Sequence, residues 1–181
     1  AKFDTTASST HKVSLQKDQI SYALGYVQGY IAQDKFCLFK DQPDFCFETQ
    51  FNFLEINQAK QMENYNINGL IGLSPLSDSE TVPSFLSQIM QDTNPSLQPV
   101  FSFYLAESTF KYSKLIFGDY DIQNYAKPGL TGEDVLWVPL TQENKLNWTI
   151  KVRGIKSTLG YLTASERFMI TDSGMSFAII P

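Results

Sequence analysis

The chain has 181 residues, 43% of them hydrophobic and 18% charged, which supplies enough apolar material for a sizeable core and too little charge for a disordered segment. Fourteen basic against nineteen acidic residues leave a net charge of -5, with no basic run or basic-aromatic patch to follow a phosphate backbone, so nucleic acid is not expected as a partner. No apolar run approaches the length of a membrane-spanning helix, and no transmembrane segment is expected within these residues.

In chain order, the first chemical feature is the pair Cys37 and Cys46. Asp41-Gln42-Pro43-Asp44 lies between them and has the turn chemistry that folds a chain back on itself. Two arrangements fit, a cross-strand disulfide or two reduced and partly buried cysteines, because spacing does not set the geometry a bridge needs. A zinc site lacks ligands: the only histidine, His11, is distant in sequence and no further cysteine cluster exists. No metal and no cofactor are therefore expected. The same histidine sits in a Ser/Thr-rich stretch with no nucleophile-elbow motif, which sets aside a serine or cysteine hydrolase.

Phe45, Phe47, Phe51 and Phe53 fall at alternate positions, as do Phe101, Phe103 and Leu105, and then Trp148, Ile150 and Val152. Each set predicts a strand with one buried face. The clearest helix is expected over 82–91, where Val82, Phe85, Leu86, Ile89 and Met90 form a core-facing stripe and Pro83 suits the first turn. Asn147-Trp148-Thr149 is a glycosylation sequon, of which about one is expected by chance in a chain of this length, so it decides nothing. The last stretch, Arg167-Phe168-Met169-Ile170-Thr171-Asp172-Ser173-Gly174-Met175-Ser176-Phe177, runs an apolar strand into one carboxylate, a small hydroxyl residue and a glycine. A strand fixes the carboxylate, the hydroxyl bonds neighbouring backbone, and the glycine lets the chain turn where a side chain would obstruct a substrate.

That stretch resembles the catalytic Asp-Ser/Thr-Gly loop of the pepsin-like aspartic proteases, and other segments resemble the same family in the family's order over nearly the whole chain. Ile20-Ser21-Tyr22-Ala23-Leu24-Gly25-Tyr26-Val27-Gln28-Gly29 is similar to the family's flap hairpin, in which glycines follow a tyrosine by three and seven positions. Phe3 and Ser8-Ser9-Thr10 match the approach to that flap, and Asp34 falls where its second strand carries an aspartate. Asn68-Gly69-Leu70-Ile71-Gly72-Leu73 resembles the signature Asp-Gly-apolar-apolar-Gly-Leu, and Ser84 to Met90 the helix after it. Leu115-Ile116-Phe117-Gly118-Asp119, Leu136-Trp137-Val138-Pro139-Leu140 and Asn147-Trp148-Thr149-Ile150-Lys151-Val152 complete the order.

The resemblance implies a mainly β chain, part of a bilobal acid-protease fold. Residues 1–98 would belong to the N-terminal lobe with its flap, 99–125 to the interlobe sheet, and 126–181 to the first part of the C-terminal lobe. These residues contain no second Asp-Ser/Thr-Gly, whereas the family uses one per lobe, so the chain is expected to be an internal portion of a longer protein. The implied activity is endopeptidase cleavage by two facing aspartates holding one water. Two close carboxylates cannot both ionise cheaply, so such a pair shares a proton in an acidic range. Asp172 would be one member, Ser173, Gly174 and Ser176 would support its loop, and Tyr22, Ala23, Leu24 and Gly25 would form the flap over an extended peptide or protein substrate. The implied setting is the secretory pathway, a lysosome or vacuole, or the extracellular space.

Three departures from the family pattern stand beside the matches. Met175 replaces a hydroxyl residue that bonds the catalytic carboxylate, Ala23 and Leu24 replace smaller or polar flap residues, and Asn68 replaces an aspartate. They keep a second expectation in play, a pepsin-fold binding or structural protein without catalysis. Remaining segments of the same protein are the other expected partner.

Overall fold

The computed structural model describes residues 3–22, 25–39, 42–62, 67–77, 81–92, 97–106, 112–175 and 179. It is mainly β. Strands β1 (Lys12–Ser21), β2 (Tyr26–Asp34) and β3 (Phe51–Lys60) form an antiparallel sheet in the order β1-β2-β3. Three antiparallel pairs follow: β4 (Phe101–Tyr104) with β5 (Lys114–Phe117), β6 (Thr149–Val152) with β9 (Arg167–Ile170), and β7 (Ile155–Ser157) with β8 (Gly160–Thr163). The described residues include two short helices, α1 (Phe85–Gln91) and α2 (Ile122–Tyr125).

The position of β2 between two neighbours explains its burial. Val27, Gly29 and Ile31 are buried on alternate positions, as a central strand requires, whereas the edge strand β1 is almost wholly exposed. The register runs without interruption from Ser21↔Tyr26 to Lys17↔Tyr30 on one side, and ends at Tyr26↔Lys60 on the other, so β2 is paired on both sides almost to the hairpin tip.

The core is aromatic. Phe47, Phe85, Leu86 and Ile89 are buried together, and Phe36, Phe51, Phe101, Phe117 and Trp148 pack against them. Ring centroids lie 4.8 Å apart for Phe36 and Phe51, 5.4 Å for Phe51 and Phe85, and 5.5 Å for Phe101 and Trp148. Polar clamps tie helix to sheet. Gln88 accepts from the Asn52 backbone N–H at 2.7 Å and donates to the Asn52 carbonyl at 3.0 Å. At the other end of α1, the buried Asp92 carboxylate accepts from the Thr49 backbone N–H at 2.9 Å and its hydroxyl at 2.7 Å. Trp148 donates its indole N–H to the Leu73 carbonyl at 2.7 Å, which joins the 68–73 segment to the start of β6.

Several expectations shift. The helix begins three residues later than expected, at Phe85, because Ser84 is the N-cap and accepts from the Ser87 N–H at 3.1 Å. Pro83 therefore precedes the cap and does not occupy the first turn. Phe45 and Phe47 are not on a strand: Pro43–Phe45 form a 3-10 turn, and Cys46 makes only an isolated bridge with Cys37. Between the two cysteines' open alternatives the structure has the disulfide, with an S–S distance of 2.04 Å. On the loop-closure argument such a short ring contributes about 2–3 kcal/mol. Phe103 and Leu105 are exposed, so only Phe101 of that alternating set reaches the core. Gly118 ends β5 with φ of 82°, a left-handed conformation in which any side chain would be strained.

Candidate active site

Strand β9 delivers Asp172 to a tight turn. Its pairing with β6 runs from Val152↔Arg167 to Thr149↔Ile170, and Thr171 extends the anchoring by donating both its backbone N–H and its hydroxyl to the Trp148 carbonyl, at 3.0 and 3.1 Å. Because Trp148 is itself packed in the core, the residue before Asp172 is fixed to the body of the molecule. Asp172 then accepts the Gly174 N–H on Oδ1 at 2.8 Å, and its carbonyl accepts the Met175 N–H at 3.4 Å. A Cβ at position 174 would sit 3.1 Å from that same Oδ1, tighter than ordinary contact, so a side chain there would press on the carboxylate. The carboxylate is exposed, and among the described residues nothing else hydrogen-bonds it. Such a group can exchange protons with a bound water or a substrate carbonyl. Met175, about half exposed, supplies no hydroxyl to it. Ser176 lies outside the described residues.

The second predicted cluster is the tip of the β1–β2 hairpin. Tyr22 donates its N–H to the Gly25 carbonyl at 2.7 Å and accepts the Gly25 N–H at 3.3 Å. Ala23 and Leu24 lie outside the described residues. The two glycines of the pattern have a shared cause. A Cβ on Gly25 would collide with the Lys60 carbonyl oxygen, and one on Gly29 with the Glu55 carbonyl oxygen, because the backbone of β3 presses against both. The register between β2 and β3 shifts at Gln28/Gly29, where this approach is closest.

Asp34, at the far end of β2, holds the hairpin base. It is buried, and its Oδ1 accepts from the Thr10 hydroxyl at 2.6 Å, the Ser8 hydroxyl at 2.8 Å and the Lys35 N–H at 2.7 Å. Burial opposes ionisation, but the Thr10, Ser8 and Lys35 hydrogen bonds, aided by the nearby His11, outweigh it and hold the carboxyl below the ordinary 3.8. A carboxyl with a depressed pKa stabilises the fold fully above its unfolded value, and that contribution fades as pH falls through the lower folded value. Asp34→Asn in the complete protein should therefore cost about 1–2 kcal/mol at neutral pH, a difference that shrinks below pH 3.8. Denaturant unfolding at several pH values checks this; a difference that grows on acidification would contradict it.

His11 is held in the fold, with Nε2 at 3.0 Å from Glu55 Oε2 and its ring edge-on to Phe3 at 5.4 Å. Among the described residues, one shallow cleft of about 170 Å³ lies between β4, β5 and α2 and another of about 190 Å³ beside Trp148, and neither of these is lined by Tyr22 or Asp172. Among the described residues no group of three or more His, Cys, Asp or Glu is gathered as metal ligands, and no helix is long and apolar enough to cross a membrane.

Comparison with known proteins decides the family. The model of the eukaryotic aspartyl protease family matches residues 1–181. The chain belongs to that family. It is 29% identical over 190 residues to the vacuolar aspartic protease of Candida albicans, covering 100% of this chain and 41% of that protein. It is 25% identical over 185 residues to gastricsin of Rattus norvegicus, covering 100% and 44%. Vacuolar protease A of Aspergillus fumigatus is 27% identical over 187 residues, covering 99% and 43%. The chain thus spans less than half the length of these relatives.

Within this aspartyl protease chain, the structure joins Cys37 to Cys46, gathers Asp172 and Gly174 into one turn around Ser173, and gathers Tyr22 and Gly25 into another. The two turns belong to different sheets. Sequence reasoning singled out Ser8, Thr10 and Asp34 separately and missed that they form one cluster. The signal was chemical: a carboxylate in a half-apolar strand needs donors, and a Ser/Thr run is the nearest supply.

Proposed function

We propose that the complete protein is an aspartic endopeptidase in which Asp172 is one of two catalytic carboxylates. The observation that carries the reading is the Asp172 turn: an exposed carboxylate, fixed by a strand anchored on Trp148, with one oxygen held by the Gly174 N–H and no side chain at Gly174 to obstruct an approaching peptide. One carboxylate removes a proton from water as it attacks the scissile carbonyl, and its protonated partner donates to the carbonyl oxygen. Tyr22, at the tip of the β1–β2 hairpin, closes over the extended peptide and excludes water. On this reading residues 1–98 lie in the N-terminal lobe, 99–125 in the interlobe sheet and 126–181 in the C-terminal lobe. The disulfide, which forms in the oxidising secretory pathway, and the vacuolar relatives support passage through that pathway to a vacuole, a lysosome or the extracellular space.

Met175 favours one second reading, a pepsin-fold binding protein without catalysis, since it offers no hydroxyl to the Asp172 carboxylate. Hydrolysis of an unstructured protein substrate against pH separates the two. The complete protein should cleave best in acid, and a polypeptide of residues 1–181 should not cleave, because one carboxylate cannot both deprotonate water and protonate the carbonyl. A fragment as active as the complete protein would overturn the two-carboxylate mechanism. An inactive complete protein whose second aspartate is replaced would overturn the catalytic reading and favour the binding one.

A further inference from the structure

We propose that Trp148 is the positioning residue for the Asp172 carboxylate, held by its indole to Leu73 and holding Thr171 by its backbone. The inference rests on the reading of Asp172 as a catalytic carboxylate.

Within this chain β9 buries none of its residues. All four, Arg167–Ile170, are exposed, as is Asp172 beyond them. The place of β9 is therefore inherited from β6, its partner in a two-stranded sheet. On its other side β6 meets Leu140 and Thr141, through the Leu140↔Ile150 bridge and the Thr141 N–H on the Thr149 carbonyl at 2.9 Å. That brace has little to stand on, because residues 136–140 are themselves exposed. Trp148, directly before β6, reaches the core. Among the described residues beyond Phe117, it is the one that packs on the buried cluster of Phe47, Phe85, Leu86 and Ile89.

Apolar contact alone would not set the angle of the ring, because it is non-directional. The indole N–H supplies the direction. It donates to the Leu73 carbonyl at 2.7 Å, across 75 residues of sequence. The carbonyl of the same tryptophan accepts both the Thr171 N–H at 3.0 Å and the Thr171 hydroxyl at 3.1 Å. One planar peptide bond then separates Thr171 from Asp172. A shift at Trp148 therefore passes to the carboxylate through hydrogen-bonded backbone.

The test uses peptide hydrolysis by the complete protein and its variants. Trp148→Phe keeps a ring against Phe101 but has no N–H to donate. It should lower kcat about tenfold with KM little changed, since Asp172 acts in the transition state and small misplacements of reacting groups have effects of this order or larger. Its profile of kcat/KM against pH should also narrow, because two carboxylates held less closely share a proton less well and their two ionisations draw together. Partial loss of folded protein would scale the profile without narrowing it, so an unnarrowed profile would overturn the positioning role. Asp172→Asn is measured in parallel. If it leaves cleavage intact, the catalytic reading fails and this inference with it. If Asp172→Asn is inactive while Trp148→Phe keeps the parent's kcat, the inference alone is overturned. Should Trp148→Phe fail to fold, 3-benzothienylalanine placed at position 148 keeps the bicyclic shape and lacks the N–H donor, and a kcat equal to the parent's there would overturn the proposal equally.

Discussion

Asp172→Asn in the complete protein is expected to lower peptide hydrolysis by about 10³-fold or more at every pH, the range that loss of a positioned acid-base group produces. The amide keeps the shape of the carboxylate and can still accept the Gly174 N–H, so the turn should survive. What it cannot do is take or give a proton. The loss should fall on kcat with KM little changed, because the group acts in the transition state and contributes little to holding an extended peptide. Thermal unfolding of the variant should match the parent, since the side chain is exposed and its structural bond is retained. Cleavage that survives the substitution would remove Asp172 from the chemistry.

Phe47→Ala should produce the largest loss of stability, about 3–5 kcal/mol, as expected for an aromatic ring truncated in a close-packed core. Phe47 is 2% exposed, stacks on Phe36 at a centroid distance of 5.7 Å and sits beside the Cys37–Cys46 disulfide. Phe45, two residues away and in the same alternating series, is 39% exposed and meets the exposed Phe39 edge-on at 5.1 Å. Phe45→Ala should cost about 1 kcal/mol or less. Urea unfolding of the complete protein and both variants reads the contrast; equal losses would mean that Phe47 does not anchor the core as described.

That contrast shows where the sequence stops being legible. Period-two spacing put Phe45 and Phe47 on one strand face, but Pro43 and the disulfide turn the backbone there, and a local rule cannot weigh a covalent tie against a hydrophobic pattern. The helix start slipped for a similar reason, since Pro83 and Ser84 are both start signals and only the Ser84–Ser87 hydrogen bond chooses between them. Short-range features read well: a strand into Asp172-Ser173-Gly174 is a turn, and the Tyr22 segment is a hairpin tip. The links that position these turns join residues far apart in the chain. Trp148 on Leu73, Gln88 on Asn52, and Ser8 and Thr10 on Asp34 each depend on which elements pack together, and no spacing announces them. The glycines of the hairpin are the intermediate case. Their spacing was visible, but its cause, the backbone of β3 pressing on both, required the sheet order.

The central claim is that Asp172 forms half of a carboxylate pair, and a crystal structure of the complete protein tests it most directly. The account predicts a second aspartate carboxylate, from residues beyond this chain, within hydrogen-bond reach of the Asp172 carboxylate, about 3 Å or less, with Tyr22 over the groove between them. A complete protein that cleaves peptides while Asp172 faces no second carboxylate would contradict it.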